Sequence, residues 1–154
     1  MEHAELKIAI RKMVQVELDA RNYYLKAIEA MQDEGAIFHF GLLADEELEH
    51  ARSFYKIYPG DDLPPFETML SESTNNGPIT KSIDIGLVAR LDERQALKLA
   101  MKLEKELEGN LRKMASELKS AEARAVIEMN ADSTQSHYEI IAADYARLYE
   151  DVQS

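Results

Sequence analysis

The chain has 154 residues, a formal net charge of -11 and no cysteine. A chain of this length is large enough to bury one hydrophobic core without disulfides or a zinc staple. The lack of cysteine excludes disulfides, thiolate metal sites, iron-sulfur ligation and a thiol nucleophile. The negative charge disfavours binding to phosphate backbones and anionic lipid, so we expect neither nucleic acid nor a membrane among the partners.

The sequence shows no pattern that would direct it to a membrane. Residues 1–7 lack a basic stretch followed by an apolar one, and no later segment reaches the apolar length of a membrane span. We therefore expect a soluble, cytoplasmic protein that folds as a single domain over residues 1–154. Any metal site in it must use oxygen and nitrogen ligands, because cysteine sulfur is absent.

The first two predicted helices form a hairpin. Apolar residues recur at the three-to-four spacing of an amphipathic helix over about residues 3–33 and again over about 36–58. Gly35, between them, is predicted to adopt the left-handed conformation that ends a helix. A joint as short as this one makes neighbouring helices antiparallel.

A long crossover follows the first hairpin. Residues 59–91 contain all four prolines of the chain, together with several glycines and asparagines that interrupt regular structure. Connections of this length in a compact domain usually contain some structure of their own. We expect short helical turns at residues 66–70 or 83–89.

The third and fourth predicted helices form a second hairpin. Asp92 followed three residues later by Gln95 has the pattern of a capping box, which predicts a third helix over about residues 92–118. The fourth helix is predicted over about residues 121–149. Together these segments predict an all-α, antiparallel four-helix bundle made of two helical hairpins with one long crossover.

Each predicted helix has polar side chains in the middle of its apolar stripe. A buried carboxylate costs several kcal/mol, as an order of magnitude, unless it is paired or bound to a metal. A lone glutamate at such a position is usually solvated, and a lone core histidine is usually hydrogen-bonded, so only their combination points to a metal site. The polar stripe residues are Glu17, Glu47, His50, Glu104, Asn130, Thr134 and His137.

The two halves of the chain align without a gap at a shift of 87 residues. Glu17 pairs with Glu104 (104 - 17 = 87), and His50 pairs with His137 (137 - 50 = 87). Two copies of one hairpin therefore bring these four residues and Glu47 to one level of the core. Three buried carboxylates repel one another strongly, and a cluster of metal cations satisfies both their charge and their geometry.

The placement of these residues resembles the ferritin-like di-iron carboxylate superfamily, in which each helix has a glutamate and alternate helices have Glu-x-x-His. Within it, residues 17–24 (ELDARNYY) and 43–50 (LADEELEH) resemble the rubrerythrin group. The resemblance covers about residues 3–150 apart from the crossover, and it implies a ferritin-like bundle. Many rubrerythrins also contain a cysteine-ligated rubredoxin module, which this sequence lacks, so electrons would come from an external donor.

The resemblance implies a role for each of the five clustered residues. Glu17 and His50 would bind one ion, Glu104 and His137 would bind the other, and Glu47 would bridge the two. Iron is the metal that the family favours, with manganese or zinc as alternatives.

Three further side chains are expected to surround the ligands. Tyr24 would either hydrogen-bond a ligand carboxylate or belong to the core. Thr134 stands where a complete second half would have a glutamate, three residues before His137, and Asn130 precedes it by one turn. With one carboxylate fewer, the site is expected to hold one ion more weakly than the other.

The sequence leaves three hypotheses about function. The first is a rubrerythrin-like, non-haem metal-binding oxidoreductase, with two iron ions, that acts on peroxide or O2. The second is a protein that binds, stores or senses iron or another divalent metal without turnover. The third is a structural bundle whose site has decayed. A homodimer is expected in each case, because bundles of this type often pair.

Overall fold

The computed structural model describes residues 3–76 and 91–150, and every regular element in these ranges is helical. The helices, in chain order, are α1 (His3–Ala27), α2 (Glu34–Ile57), α3 (Phe66–Asn76), α4 (Glu93–Glu117) and α5 (Ala121–Tyr145). None of these described helices combines the length and the apolar character needed to cross a membrane.

The four long helices pack as two hairpins. Helix α1 packs along α2, α4 packs along α5, and the hairpins meet through α2 and α5. The short helix α3 lies against α1. The predicted fold class, an all-α bundle of paired helical hairpins joined by a long connection, is confirmed.

Two apolar clusters form the core, one towards each end of the bundle. Each large side chain that is fully buried stabilises the fold by about 1.5–3 kcal/mol. On α2, α4 and α5 the clustered glutamates and histidines fall between members of the two clusters, so the polar level is covered by apolar side chains on both sides. One cluster includes Tyr23, Tyr24, Phe40, Leu97 and Ile141, and the other includes Ile10, Leu18, Phe54, Leu111 and Ile127.

The predicted role of Gly35 is wrong. Helix α1 already ends at Ala27 and continues as one 3-10 turn, Ile28–Ala30, whereas Gly35 lies in the first turn of α2 and does not have a positive φ. The feature that shapes the joint is Asp33, whose Oδ2 accepts a hydrogen bond from the backbone N–H of Ala36 at 2.9 Å. An aspartate N-cap on α2 thus replaces a glycine C-cap on α1.

The boundaries of the second hairpin are close to those expected. Asp92 Oδ1 accepts from the Gln95 backbone N–H at 2.8 Å, and Gln95 Oε1 accepts from the Asp92 N–H at 3.1 Å, so the capping box is confirmed. The α-helical part of the fourth helix ends at Tyr145, earlier than predicted. A π-helical turn, Ala146–Glu150, continues the helix from there.

Part of the predicted crossover is helical. The expected turn at residues 66–70 is confirmed and extends into the whole of α3, whereas residues 83–89 lie outside the described ranges. Helix α3 is held on α1 by Ser73, whose Oγ accepts from Asn22 Nδ2 at 2.9 Å and from Gln15 Nε2 at 3.3 Å. Asp19, which lies off the inward stripe of α1, is also buried.

Candidate metal centre

The five side chains predicted as ligands lie together in the interior of the bundle. Helix α1 contributes Glu17, α2 contributes Glu47 and His50, α4 contributes Glu104 and α5 contributes His137. Each is at most 8% exposed. The stripe positions that were read from the sequence therefore converge from four separate helices on one water-poor volume.

The five residues form two overlapping triads. One consists of Glu17, Glu47 and His50, and the other of Glu47, Glu104 and His137; in each triad one donor atom from every residue lies within 4.8 Å of the others. Glu47 belongs to both. Two carboxylate-histidine clusters that share one residue are consistent with a di-metal site.

Both imidazole rings turn Nδ1 towards the carboxylates. His50 Nδ1 lies 3.4 Å from Glu17 Oε2 and 3.9 Å from Glu47 Oε1. His137 Nδ1 lies 2.8 Å from Glu47 Oε1 and 3.7 Å from Glu104 Oε2. The two rings are stacked, with centroids 5.3 Å apart and planes at 6°.

The unpaired polar atoms of the bundle are concentrated in this group. Within residues 3–76 and 91–150, seven buried side-chain atoms lack a hydrogen-bond partner, and all seven belong to the five residues. The close approach of His137 to Glu47 therefore lacks the alignment of a hydrogen bond. Because an unpaired buried polar atom is unfavourable, and oxygen and imidazole donors suit iron, manganese and zinc, the group fits a metal site.

Burial changes the ionisation of the carboxyl groups. Desolvation is the main cause that raises the pKa of Glu17 to about 7, that of Glu47 to about 8 and that of Glu104 to about 7. The neighbouring carboxylates add to this effect for Glu47 and Glu104. Near neutral pH these three carboxyl groups are therefore partly protonated, and a bound cation would displace the protons.

The two histidines differ in their electrostatic surroundings. Burial lowers the pKa of His50 below its ordinary value. Burial also acts to lower the pKa of His137, but its contacts with Glu104 and Glu47 outweigh this effect and raise it to about 11. The second triad thus places more negative charge around its imidazole than the first does.

Tyr24 both hydrogen-bonds a carboxylate of the group and belongs to the apolar core. Its hydroxyl donates a hydrogen bond to Glu104 Oε1, and its ring packs edge-on against Phe40, with centroids 4.9 Å apart. The hydrogen bond holds one oxygen of Glu104 in place and leaves Oε2 without a hydrogen-bond partner, 3.7 Å from His137 Nδ1.

Asn130 and Thr134 make their hydrogen bonds away from the five clustered residues. Thr134 is fully buried, and its Oγ1 donates to the Asn130 carbonyl at 2.8 Å. Asn130 Nδ2 donates to the Val126 carbonyl at 2.8 Å and to Ser53 Oγ at 3.1 Å. The threonine hydroxyl is therefore engaged with its own helix, and it adds no charge where the repeat would place a carboxylate.

Two residues that contact the histidines were not identified from the sequence. Ser133 Oγ lies 2.9 Å from His50 Nε2, and Glu46 Oε2 is in contact with His137 Nε2. Both face away from the apolar stripes, which is why helical periodicity does not select them. The repeat places Glu46 and Ser133 at equivalent positions (133 - 46 = 87), but their residue types differ, so it did not select them either.

Comparison with known proteins agrees with this geometry. A family model described as Rubrerythrin matches residues 6–145, which include both hairpins and all five clustered residues. No curated protein matches the chain, and no solved structure matches it.

Proposed function

The chain belongs to the rubrerythrin family, and we propose that it is a non-haem metal-binding oxidoreductase with a two-metal carboxylate site. In this proposal Glu17 and His50 would hold one ion, Glu104 and His137 would hold the other, and Glu47 would serve both. The observation that supports it most directly is the set of seven unpaired buried atoms, all of which belong to these residues.

Iron is the metal that we propose, since it is the one that the family favours. Bound iron would supply the electron-transfer chemistry by which hydrogen peroxide or O2 is reduced. The electrons would come from an external donor, because the chain has no cysteine with which to hold an iron-sulfur or rubredoxin-type centre of its own.

The residues of the chain would bind the cations, orient the carboxylates and shield the site from bulk water. The apolar clusters on both sides of the polar level keep bulk water away, which strengthens the interaction of the carboxylates with any cation. Tyr24 holds its proton towards Glu104 Oε1 and so keeps that carboxylate in one orientation. Glu17 and Glu47 have no hydrogen-bond partner outside the five clustered residues, so their oxygens are left for one another, for His137 or for a cation.

The proposal is tested by metal content and by turnover of the same sample. We expect elemental analysis of the untreated protein to find iron, and anaerobic titration of the metal-free protein with ferrous ion to approach two ions per chain. Addition of hydrogen peroxide should then oxidise the bound ferrous ion faster than it oxidises ferrous ion in buffer. A Glu47→Gln variant, which removes the shared carboxylate, is the matched control.

A second candidate, metal binding for storage, delivery or sensing without turnover, is favoured by one observation. Thr134 stands at the repeat position equivalent to the shared Glu47, so the site has one carboxylate fewer than a complete repeat would supply. Metal binding without accelerated peroxide-dependent oxidation would support this candidate over the oxidoreductase. A protein that binds no divalent metal would contradict both and leave a structural bundle with a decayed site.

We also propose that the functional unit is a homodimer, because bundles of this type often pair. Sedimentation equilibrium of the metal-loaded protein measures the mass in solution. A mass equal to that of one chain at micromolar concentration would contradict the proposal.

A further inference from the structure

The outer nitrogen of each histidine is contacted by a residue of the opposite helix, and Ser133 Oγ also lies 3.4 Å from Nε2 of His137 on its own helix. Ser133, on α5, touches Nε2 of His50, on α2, and Glu46, on α2, touches Nε2 of His137, on α5. Glu46 and Ser133 occupy equivalent positions in the repeat, as do His50 and His137. The two contacts are therefore one structural feature, present once in each half of the site.

The two halves differ in charge at this feature. In the first half of the repeat Glu46 and Glu47 are both acidic, and in the second half their counterparts, Ser133 and Thr134, are both hydroxyl residues. As a result, the outer nitrogen of His50 faces a neutral hydroxyl, and that of His137 faces a carboxylate. Each triad has two carboxylates, and the triad of Glu47, Glu104 and His137 is the one whose histidine has a further carboxylate behind it.

The geometry points to Glu46 as the fourth carboxylate of the metal centre, acting on the ion held by Glu104 and His137 through the His137 ring and without binding that ion. This inference rests on the proposed two-metal function. Glu46 is placed for the role because its side chain is 45% exposed, whereas that of His137 is 1% exposed, so Glu46 contacts the ring from the solvent side of the site.

The chemistry of imidazole supports this assignment. His137 Nδ1 faces Glu47 and Glu104, so a metal bound there uses the lone pair of Nδ1 and leaves the proton on Nε2. Nε2–H then donates to Glu46, and a carboxylate acceptor makes the ring a stronger donor to the metal than a neutral acceptor does. Negative charge would reach the ion at His137 through the ring, and this would offset part of the charge that Thr134 does not supply to the site as a whole.

The test compares the two steps of metal binding in a series of variants. Metal-free protein is titrated with Co2+, with calorimetry and the visible absorption of bound Co2+ as readouts. We expect Glu46→Gln, which can still accept a hydrogen bond but has no charge, to weaken one of the two binding steps by about tenfold, a typical effect for a partner of a ligand histidine. Glu46→Ala should weaken the same step at least as much.

Glu49→Gln is the matched control. Glu49 lies on the same helix, its side chain is 73% exposed, and it pairs with Arg52 at 3.7 Å. The control removes the same unit of surface charge and should change both binding steps by less than about twofold, because an exposed charge is screened. In addition, the 15N shift of Nε2 in Zn2+-loaded protein should respond to Glu46→Gln more strongly at His137, which contacts Glu46, than at His50, which has only a longer-range electrostatic interaction with it.

Each outcome decides the inference. Equal affinities for Glu46→Gln, Glu49→Gln and the unaltered protein would overturn it, and so would equal weakening of both steps. A normal Glu46→Gln variant beside a weakened Glu46→Ala variant would also overturn it, because Glu46 would then orient the ring without acting by charge. If the unaltered protein binds no Co2+, the proposed function itself fails, which is a distinct result.

Discussion

Glu47 is the residue on which both triads of the described structure depend. It is fully buried, and both of its carboxylate oxygens lack a hydrogen-bond partner. We expect Glu47→Ala to lower bound metal more than Glu17→Ala, because Glu47 would serve both ions and Glu17 only one. Ferrous titration of the two variants measures the difference, which should be at least about tenfold in the affinity of the more weakly held ion.

Equal losses in Glu47→Ala and Glu17→Ala would remove the bridging role. Both substitutions leave a cavity of the same size in the same core, so their melting temperatures without metal serve as a control for general damage to the fold.

Thr134 decides how much negative charge the second ion meets. Two divalent ions have four positive charges, and Glu17, Glu47 and Glu104 supply three negative ones at the site. We expect Thr134→Glu to place a carboxylate one helical turn before His137 and to tighten the second ion by about tenfold. The metal-to-protein ratio at limiting metal should move towards two. The interpretation of an incomplete site is wrong if the native chain already binds two ions equally and the variant does not differ from it.

At the scale of elements, α3 depends on a small polar contact with α1. Ser73 is buried; its Oγ accepts from Asn22 and Gln15, and its carbonyl accepts from Asn22 Nδ2 at 3.2 Å. Beside it, burial raises the pKa of Asp19 to about 7. We expect Ser73→Ala to lower the free energy of unfolding by about 1 kcal/mol, because the buried hydroxyl no longer accepts from the half-buried Asn22. Chemical denaturation measures the change.

The substitution of an exposed serine elsewhere in the bundle is the control for Ser73→Ala. Ser136 is exposed, and its hydroxyl donates to the Asp132 carbonyl of its own helix at 3.3 Å. Ser136→Ala should change the free energy of unfolding by less than about 0.5 kcal/mol, as surface substitutions usually do. If the two variants are equally stable, α3 does not depend on Ser73 for its attachment.

At the scale of the whole molecule, the metal-free bundle should lose stability as pH rises from about 5 to 8. The folded state keeps protons on Glu17, Glu47 and Glu104 up to pKa values of about 7 to 8, whereas the unfolded chain releases them near 4.5. The raised pKa of His137 acts in the same direction, since its stabilising proton is lost as pH rises towards 11. His50, whose pKa is lowered, opposes the trend below pH 6.5.

Melting curves with and without metal measure this effect. We expect the melting temperature in chelator to fall by roughly 5–10 °C between pH 5 and 8. One pKa unit corresponds to about 1.4 kcal/mol, and the lowered pKa of His50 offsets part of the effect of the raised carboxyl pKa values. Saturating ferrous ion under anaerobic conditions should restore stability most at pH 8, where fewer protons compete for the ligands. A melting temperature that changes neither with pH nor with added metal would contradict both the raised carboxyl pKa values and metal binding by the cluster.

Much of the fold and of the candidate site follows from local properties of the chain. Glu17, Glu47 and Glu104 could be assigned to the interior because helical periodicity is a property of neighbouring residues and does not depend on the rest of the fold. The repeat then related the two hairpins, and so related His50 to His137, without any knowledge of packing. The Asp92 capping box was readable for the same reason, since its partners lie within one turn.

The remaining features were decided by tertiary structure. Which residue touches the outer nitrogen of His137 depends on the rotation of α2 against α5, and this rotation places Glu46, half exposed and off the apolar stripe, behind the ring. In the same way, Asp19 is buried because α3 packs over it, and Gly35 is helical because Asp33 caps α2. Contacts between distant segments follow from how whole helices pack, and no short window of sequence specifies that packing.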